Sequence, residues 1–298
     1  MPETVNSCPL CATEKSSLFD QREFRDHSVT NRICNACGLV FQSPRMTEEE
    51  LAQFYEREYR RVYQGHEGPD PKDLAVQQRR AESLLAFSMP SVSGVGNHLD
   101  IGCGAGLLLQ KFQAHYGCRS TGIEPGNAYR SYTQSQGVSV YPSLEALQDT
   151  HPNHFDMVSM AHVLEHIPQP VEYLRKLRSE LLASDGWLLA EAPNLYCHDS
   201  FEIAHTVSYS PHTLAQTLEV AGFTIISLLQ HGEPRSHLLP LYLTALARPA
   251  EESSRKIPVP ERGVQRKRQF GLLHRKILTR LFPKRAWIPV LADQPREY

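Results

Sequence analysis

The sequence predicts an α/β protein whose body is a doubly wound, mostly parallel seven-stranded sheet, with a small cysteine-bearing module before it and a basic tail after it. Three observations carry this expectation. From residue 97 onward, short apolar runs alternate with helical periods, the pattern of a parallel sheet covered on both faces. A glycine-rich turn joins the first such run to the first helical period, where open α/β sheets bind their ligands. Two Cys-x-x-Cys pairs precede all of this, a spacing that suits a metal better than disulfides.

The elements follow in order. Residues 1–46 form the cysteine module and 47–96 a helical linker region. Residues 97–250 are the sheet domain and 251–298 the tail. Thr47 with Glu50 three residues later reads as a capping box opening a first helix. A turn-rich stretch at 65–72 separates it from a second helix over 73–87. Strands are expected at 98–101, 120–124, 138–141, 155–160, 186–191, 223–229 and 241–247. Helices are expected at 106–116, 127–136, 143–150, 171–182 and 211–221.

The 298 residues are 41% hydrophobic and 21% charged, ordinary values for a chain with a real core. No run approaches about 18 apolar residues, so no spanning helix is expected. The first residues lack the basic start and apolar stretch of a secretory signal. The expected location is cytoplasmic, with attachment to a membrane surface through the tail as an extension. The net charge of -2 hides an asymmetry. Residues 1–254 carry 19 Lys and Arg against 30 Asp and Glu, whereas residues 255–298 carry 12 against 3. An acidic body argues against nucleic acid as its partner.

Cys8 and Cys11 are separated by 22 residues from Cys34 and Cys37. Two such knuckles present four thiolates tetrahedrally and leave no open position, which predicts a structural zinc. A module this small cannot bury enough core unaided, and the metal would supply the missing stability. Cys103, Cys118 and Cys197 are expected to be packing residues.

The turn reads Leu99-Asp100-Ile101-Gly102-Cys103-Gly104-Ala105-Gly106. A dinucleotide fingerprint needs glycine at position 107, where Leu107 stands. Asp100 would also crowd a pyrophosphate at the helix start, whereas it suits a ligand bearing an ammonium group. Glu124 ends the next strand and can accept both hydroxyls of a ribose.

Together these residues resemble the class I methyltransferases, which carry a hydrophobic-D-x-G-x-G-x-G loop and an acidic end to the second strand. The resemblance implies a Rossmann-like methyltransferase using S-adenosylmethionine. Asp100, Gly102, Gly104 and Gly106 would shape the methionine side of its pocket, and Glu124 would hold the ribose. The segments 155–170, 186–194 and 205–223 look like later motifs of the same family, which places Ala161 among the cofactor contacts. After the third strand the chain reads Val140-Tyr141-Pro142-Ser143. The acidic residue that often meets adenine is missing there, leaving backbone or Ser143. The cysteine module is similar to zinc ribbons on methyltransferases of sugar and polysaccharide pathways, which implies a small-molecule or glycan acceptor. The run Val163-Leu164-Glu165-His166-Ile167-Pro168 also looks like quinone and lipid-precursor methyltransferases. A binding protein that keeps the fold without turnover is the third reading.

Methyl transfer to a hydroxyl needs an in-line approach and a nearby base. His162, Glu165 and His166 follow the fourth strand, and His205, Tyr209 and His212 follow the fifth. His162 and His205 are the expected catalytic pair, with Glu165 and His166 orienting the loop. In the tail, Phe270, Leu273, Ile277 and Leu281 fall three and four residues apart, with Arg268, Arg275, Lys276 and Arg280 between them. Such a stripe would rest either on an anionic membrane surface or on the acidic body of the chain.

Overall fold

The computed structural model describes residues 2–25, 27–58, 62, 68–148, 155–199, 201–250 and 256–289. Parts of the expected turn at 65–72, the end of the helix at 143–150 and both ends of the tail lie outside them. The N-terminal module is a meander of β1 (Ser16–Phe24), β2 (His27–Cys34) and β3 (Val40–Gln42). Helix α1 (Glu48–Arg57) opens on the expected capping box: Glu50 N donates to Thr47 Oγ1 at 3.2 Å, and Thr47 N to Glu50 Oε2 at 3.0 Å. Helix α2 (Pro71–Ser88) starts on Asp70, whose carboxylate accepts from Asp73 N.

The large domain then runs β4 (Asn97–Ile101), α3 (Leu107–Tyr116), β5 (Arg119–Ile123), α4 (Asn127–Ser135), β6 (Ser139–Tyr141) and α5 (Leu144–Gln148). It continues with β7 (Phe155–Ala161), a 3₁₀ turn (Leu164–His166), α6 (Pro170–Glu180), β8 (Leu182–Pro193), β9 (Val207–Ser208) and α7 (Pro211–Val220). Strands β10 (Phe223–His231) and β11 (Tyr242–Pro249) close the sheet, and α8 (Val264–Leu281) and α9 (Pro283–Ala286) form the tail. The seven-stranded order is β10-β11-β8-β7-β4-β5-β6, with β11 antiparallel to both its neighbours and the other pairings parallel. Strand β4 sits where the order reverses, between β5 and β7, so the glycine turn leaves the sheet at its switch point. Among the described residues no helix is long and apolar enough to cross a membrane.

Two features go beyond the sequence reading. Strand β9, only two residues long, leaves the large domain and pairs with β3 of the cysteine module. Gln42 N also donates to Thr206 O at 2.9 Å. One apolar cluster accordingly runs from Cys8, Leu10, Leu39 and Phe41 through to Leu99, Val158 and Leu214. The module and the sheet domain share a core. Helix α2 packs on α3, the first helix of the sheet domain.

Helix α8 of the tail rests on the body through the face that carries Arg268 and Arg275. Arg268 is 6% exposed and donates to Leu195 O, His198 O and Asp199 Oδ1, and Arg275 Nη1 donates to Cys197 O at 2.9 Å. The stripe itself points outward. Lysine and arginine side chains can satisfy carbonyls lining a loop, which the apolar stripe could not.

Phe41, at 1% exposure, lies at the junction of the two sheets. We expect Phe41→Ala to cost roughly 3–5 kcal/mol and to lower one shared unfolding transition. Urea titration followed through Trp187, in a Trp287→Phe background, checks this. A Trp187 signal that unfolds at the wild-type midpoint would show the two parts to be independent.

Candidate active site

A cavity of about 760 Å³ opens beyond the carboxyl ends of β4, β5, β7 and β8. Its floor is the glycine turn. Gly102 has φ 73°, and a Cβ there would lie 2.5 Å from Val163 Cγ2; Gly104 has φ 54°, and its Cβ would meet Gln77 Oε1 at 2.8 Å. Only glycine fits such a cradle. Gly106 differs from the expectation: it starts α3 facing Thr133 of α4 and is not part of the cavity wall.

Every N–H of the turn is already used. Gly102 N and Cys103 N donate to Ile123 O, Gly104 N to Glu124 Oε2, Ala105 N to Gln77 Oε1, and Gly106 N to Cys103 O. The turn's amides are thus committed within the fold, and two carboxylates, Asp100 and Glu124, line the cavity beside it. Glu124 is 5% exposed and accepts Gly104 N at 3.0 Å and Gly126 N at 2.9 Å, one on each oxygen. It therefore fixes the loop as well as facing the cavity. Asp100, 3% exposed, accepts from Ser159 Oγ at 2.6 Å. Burial pushes its carboxyl up to about 7 against that hydrogen bond. A cationic ligand beside it would restore the charged form. Ser143 lines the cavity and its Oγ accepts from Ala146 N at 3.3 Å. Ala161 lines the wall at the end of β7.

The opposite wall is a charged cluster that the sequence reading largely missed. Arg80 of α2 pairs with Glu191 of β8 at 2.7 Å. Glu191 is 1% exposed, and its other oxygen accepts from Thr244 Oγ1 at 3.2 Å and lies 3.3 Å from His231 Nε2. His162 sits between two carboxylates, Nδ1 at 3.3 Å from Glu165 and Nε2 at 3.2 Å from Glu191, with a left-handed φ of 57°. Burial and Arg80 oppose its charge, but the carboxylates of Glu165 and Glu191 beside it prevail and hold its pKa above the usual value. Burial opposes the charge on Glu165 too, and His162 with the neighbouring histidines brings its carboxyl down to about 2. Two carboxylates, Glu165 and Glu191, thus face Arg80 and His162.

His166 is the neutral member. Burial, the largest influence, lowers its pKa to about 4. Its Nδ1 lies 3.0 Å from Ala204 O. A carbonyl only accepts, so Nδ1 carries the proton and Nε2 the lone pair. His205, 8% exposed, meets the His166 ring edge-on at 4.8 Å and lies 3.7 Å from Glu202. Glu165, His166 and His205 bring donor atoms within 4.8 Å of one another, a set that can also hold a divalent cation. Tyr209 is fully buried and His212 is half-buried with its Nε2 2.8 Å from Val259 O; neither lines the cavity.

The four module cysteines bring their sulfurs within 4.8 Å of one another, with Cys8–Cys37 at 3.6 Å and Cys11–Cys34 at 3.5 Å. A tetrahedron of about 2.3 Å metal–sulfur bonds has edges near 3.8 Å, whereas a disulfide would be about 2 Å. Leu10 N donates to Cys8 Sγ and Cys37 N to Cys34 Sγ, the amide support that thiolate ligands need. The donor set fits zinc.

Known proteins agree with this geometry. A family model described as a methyltransferase domain matches residues 74–228. A ubiquinone biosynthesis O-methyltransferase of Nitrosospira multiformis is 34% identical over 103 residues, 32% of this chain and 42% of that one. Its Yersinia pestis namesake is 32% identical over 84 residues, 26% of this chain and 34% of that one. The matches thus span less than half the length of either relative. Among solved structures, the Burkholderia thailandensis 1,6-didemethyltoxoflavin-N1-methyltransferase, bound to its acceptor and S-adenosylhomocysteine, overlays with a TM-score of 0.54. It is 17% identical and covers 78% of this chain and 100% of that one. The matched segment begins inside α2 and contains the glycine turn, Glu124, Arg80, His162, Glu165 and Glu191; the chain belongs to the methyltransferase-domain family of S-adenosylmethionine-dependent enzymes.

Proposed function

We propose that the chain methylates a hydroxyl oxygen of a small-molecule acceptor, with His166 as the base. The observation that carries this is the neutral imidazole of His166, with its lone pair on Nε2, in the cavity wall across from the glycine turn. S-adenosylmethionine supplies an electrophilic methyl group on a sulfonium. Asp100 and Glu124 bind its amino and ribose ends, Gly102 and Gly104 give its methionine side close approach, and Ser143 and Ala161 flank it. Gly106 supports the loop from behind. His166 would take the hydroxyl proton as the methyl–sulfur bond gives way to the oxygen–methyl bond and the sulfonium leaves as a neutral thioether, and Glu165 would stabilise the resulting imidazolium. His162 orients Glu165, and His205 limits the position of the His166 ring.

Among acceptors, a phenolic quinone precursor is favoured by the aromatic and apolar wall of Tyr242, Leu241 and Trp287. The O-methyltransferase relatives support it. A sugar or glycan acceptor is the second reading, favoured by Arg235, Glu202 and Arg275 in the same wall, which offer hydrogen bonds to a polyol. Transfer of label from S-adenosylmethionine to phenolic acceptors, compared with nucleotide sugars, separates the two. We also assign residues 1–46 as a structural zinc unit and 251–298 as an accessory tail to the catalytic region.

Four outcomes are expected. His166→Ala should lower kcat by about 10²–10⁴ with cofactor affinity unchanged. Because wild-type His166 is neutral above about pH 4, kcat/KM should show no ascending limb between about pH 5 and 8. A limb centred above the ordinary histidine value would transfer the role to His162. For the cofactor, Glu124→Ala removes a carboxylate that holds both loop and ribose. Calorimetry should record at least about a tenfold loss of affinity, with Glu124→Gln intermediate and NAD silent. An unchanged affinity removes Glu124 from the site. Finally, elemental analysis should find one zinc per chain, lost in Cys34→Ser and retained in His166→Ala. Loss in the second variant would place the metal in the cavity.

A further inference from the structure

Helix α8 divides cleanly into two faces. Val264, Arg268, Gly271, Arg275 and Leu278 turn to the body of the protein. Gly271 is the closest point, where a Cβ would lie 2.0 Å from Tyr196 O. Leu278 joins a small cluster with Leu239, Leu241, Tyr242 and Ala286. The other face presents Phe270, Leu273, Ile277, Leu281 and Phe282, exposed by 72, 54, 45, 63 and 46%. These five form the largest run of exposed apolar side chains among the described residues. Arg266, Lys276, Arg280, Lys284 and Arg285, all exposed, border it, and no Asp or Glu occurs between Glu261 and position 293.

We infer that this ridge docks the protein on the interface of an anionic phospholipid bilayer. A ridge of large apolar side chains whose charged neighbours on the helix are all cations matches acyl chains below and negatively charged headgroups around them. A second copy of the same face would set cation against cation, so the charge pattern disfavours self-association through it. The inward face of the same helix reaches the active site. Arg275 lines the cavity, and its guanidinium lies 5.2 Å from the centre of the Trp287 ring, which lines it too. Docking on α8 therefore brings the cavity wall at Arg275 and Trp287 close to the lipid surface. The inference does not depend on the acceptor proposed above.

The test uses the full chain. Sedimentation with vesicles of pure phosphatidylcholine and of phosphatidylcholine with one-third phosphatidylglycerol should show binding to the second only, weakening as salt rises. Leu273→Ser/Ile277→Ser and Lys276→Glu/Arg280→Glu should each lower the bound fraction at least tenfold. These side chains face away from the cavity, so the variants should keep wild-type melting temperature and cofactor affinity. Binding that is equal for wild type and both variants, or absent throughout, overturns the inference. A concentration-dependent dimer dissolved by Leu273→Ser/Ile277→Ser would overturn it in favour of a second copy. Failure here leaves cofactor binding and turnover untouched, so it is distinguishable from failure of the enzymatic reading.

Discussion

The buried carboxylate of Glu191 is the constraint on which the site depends. It is 1% exposed at the end of β8, and a bare carboxylate there would be very costly. Arg80 from α2, His162 from the turn after β7, His231 from β10 and Thr244 from β11 all gather on its two oxygens. Burial resists its ionisation, yet these partners keep it charged. One residue thereby fixes how α2 closes over the sheet and how the histidine turn is aimed. The same contact sets His162 between two carboxylates, Glu191 and Glu165. The next imidazole along, His166, has its Nδ1 committed to the backbone carbonyl of Ala204.

The cofactor side follows a different rule. The glycine turn spends its amides on itself, on Ile123 O and on two side chains, Gln77 and Glu124. A loop with no spare donors cannot act as an anion cradle, and negative groups at its edges suit a cationic ligand instead. Gln77 matters here in a way the turn's own residues do not reveal. Its amide accepts from Ala105 and donates to Asp73, so α2 holds the loop from outside the sheet.

Features encoded over a few residues were legible in the sequence: the capping box at Thr47, the glycine turn, the acidic end of β5 and the two cysteine knuckles. All seven strands of the large sheet were placed within a few residues, since their apolar runs are long enough to stand out. Pairings across distance were not legible. Nothing near Arg80 or Glu191 announces that they meet, 111 positions apart. His162 and His166 stand in one short motif and differ only in what surrounds them, so the sequence does not separate their roles. Strand β9 is two residues long, below the length at which alternation can be seen. In the tail, periodicity gave the apolar stripe but not which face turns inward. Gly271 was the available signal, since a glycine at mid-helix marks a close backbone approach.

The pairing of β3 with β9 also sets an order of events on the ribosome. Strands β1 to β3 are complete early, but the edge of β3 finds its partner only after most of the sheet domain has been made. At synthesis rates of about 5–20 residues per second, that delay is on the order of ten seconds. Throughout it, a short strand with Val40 and Phe41, both buried in the finished protein, presents an open edge. Open edges invite pairing with other nascent chains. Early capture of a metal by the four thiolates would hold the meander in register during the wait, making metal supply a determinant of yield as well as of final stability.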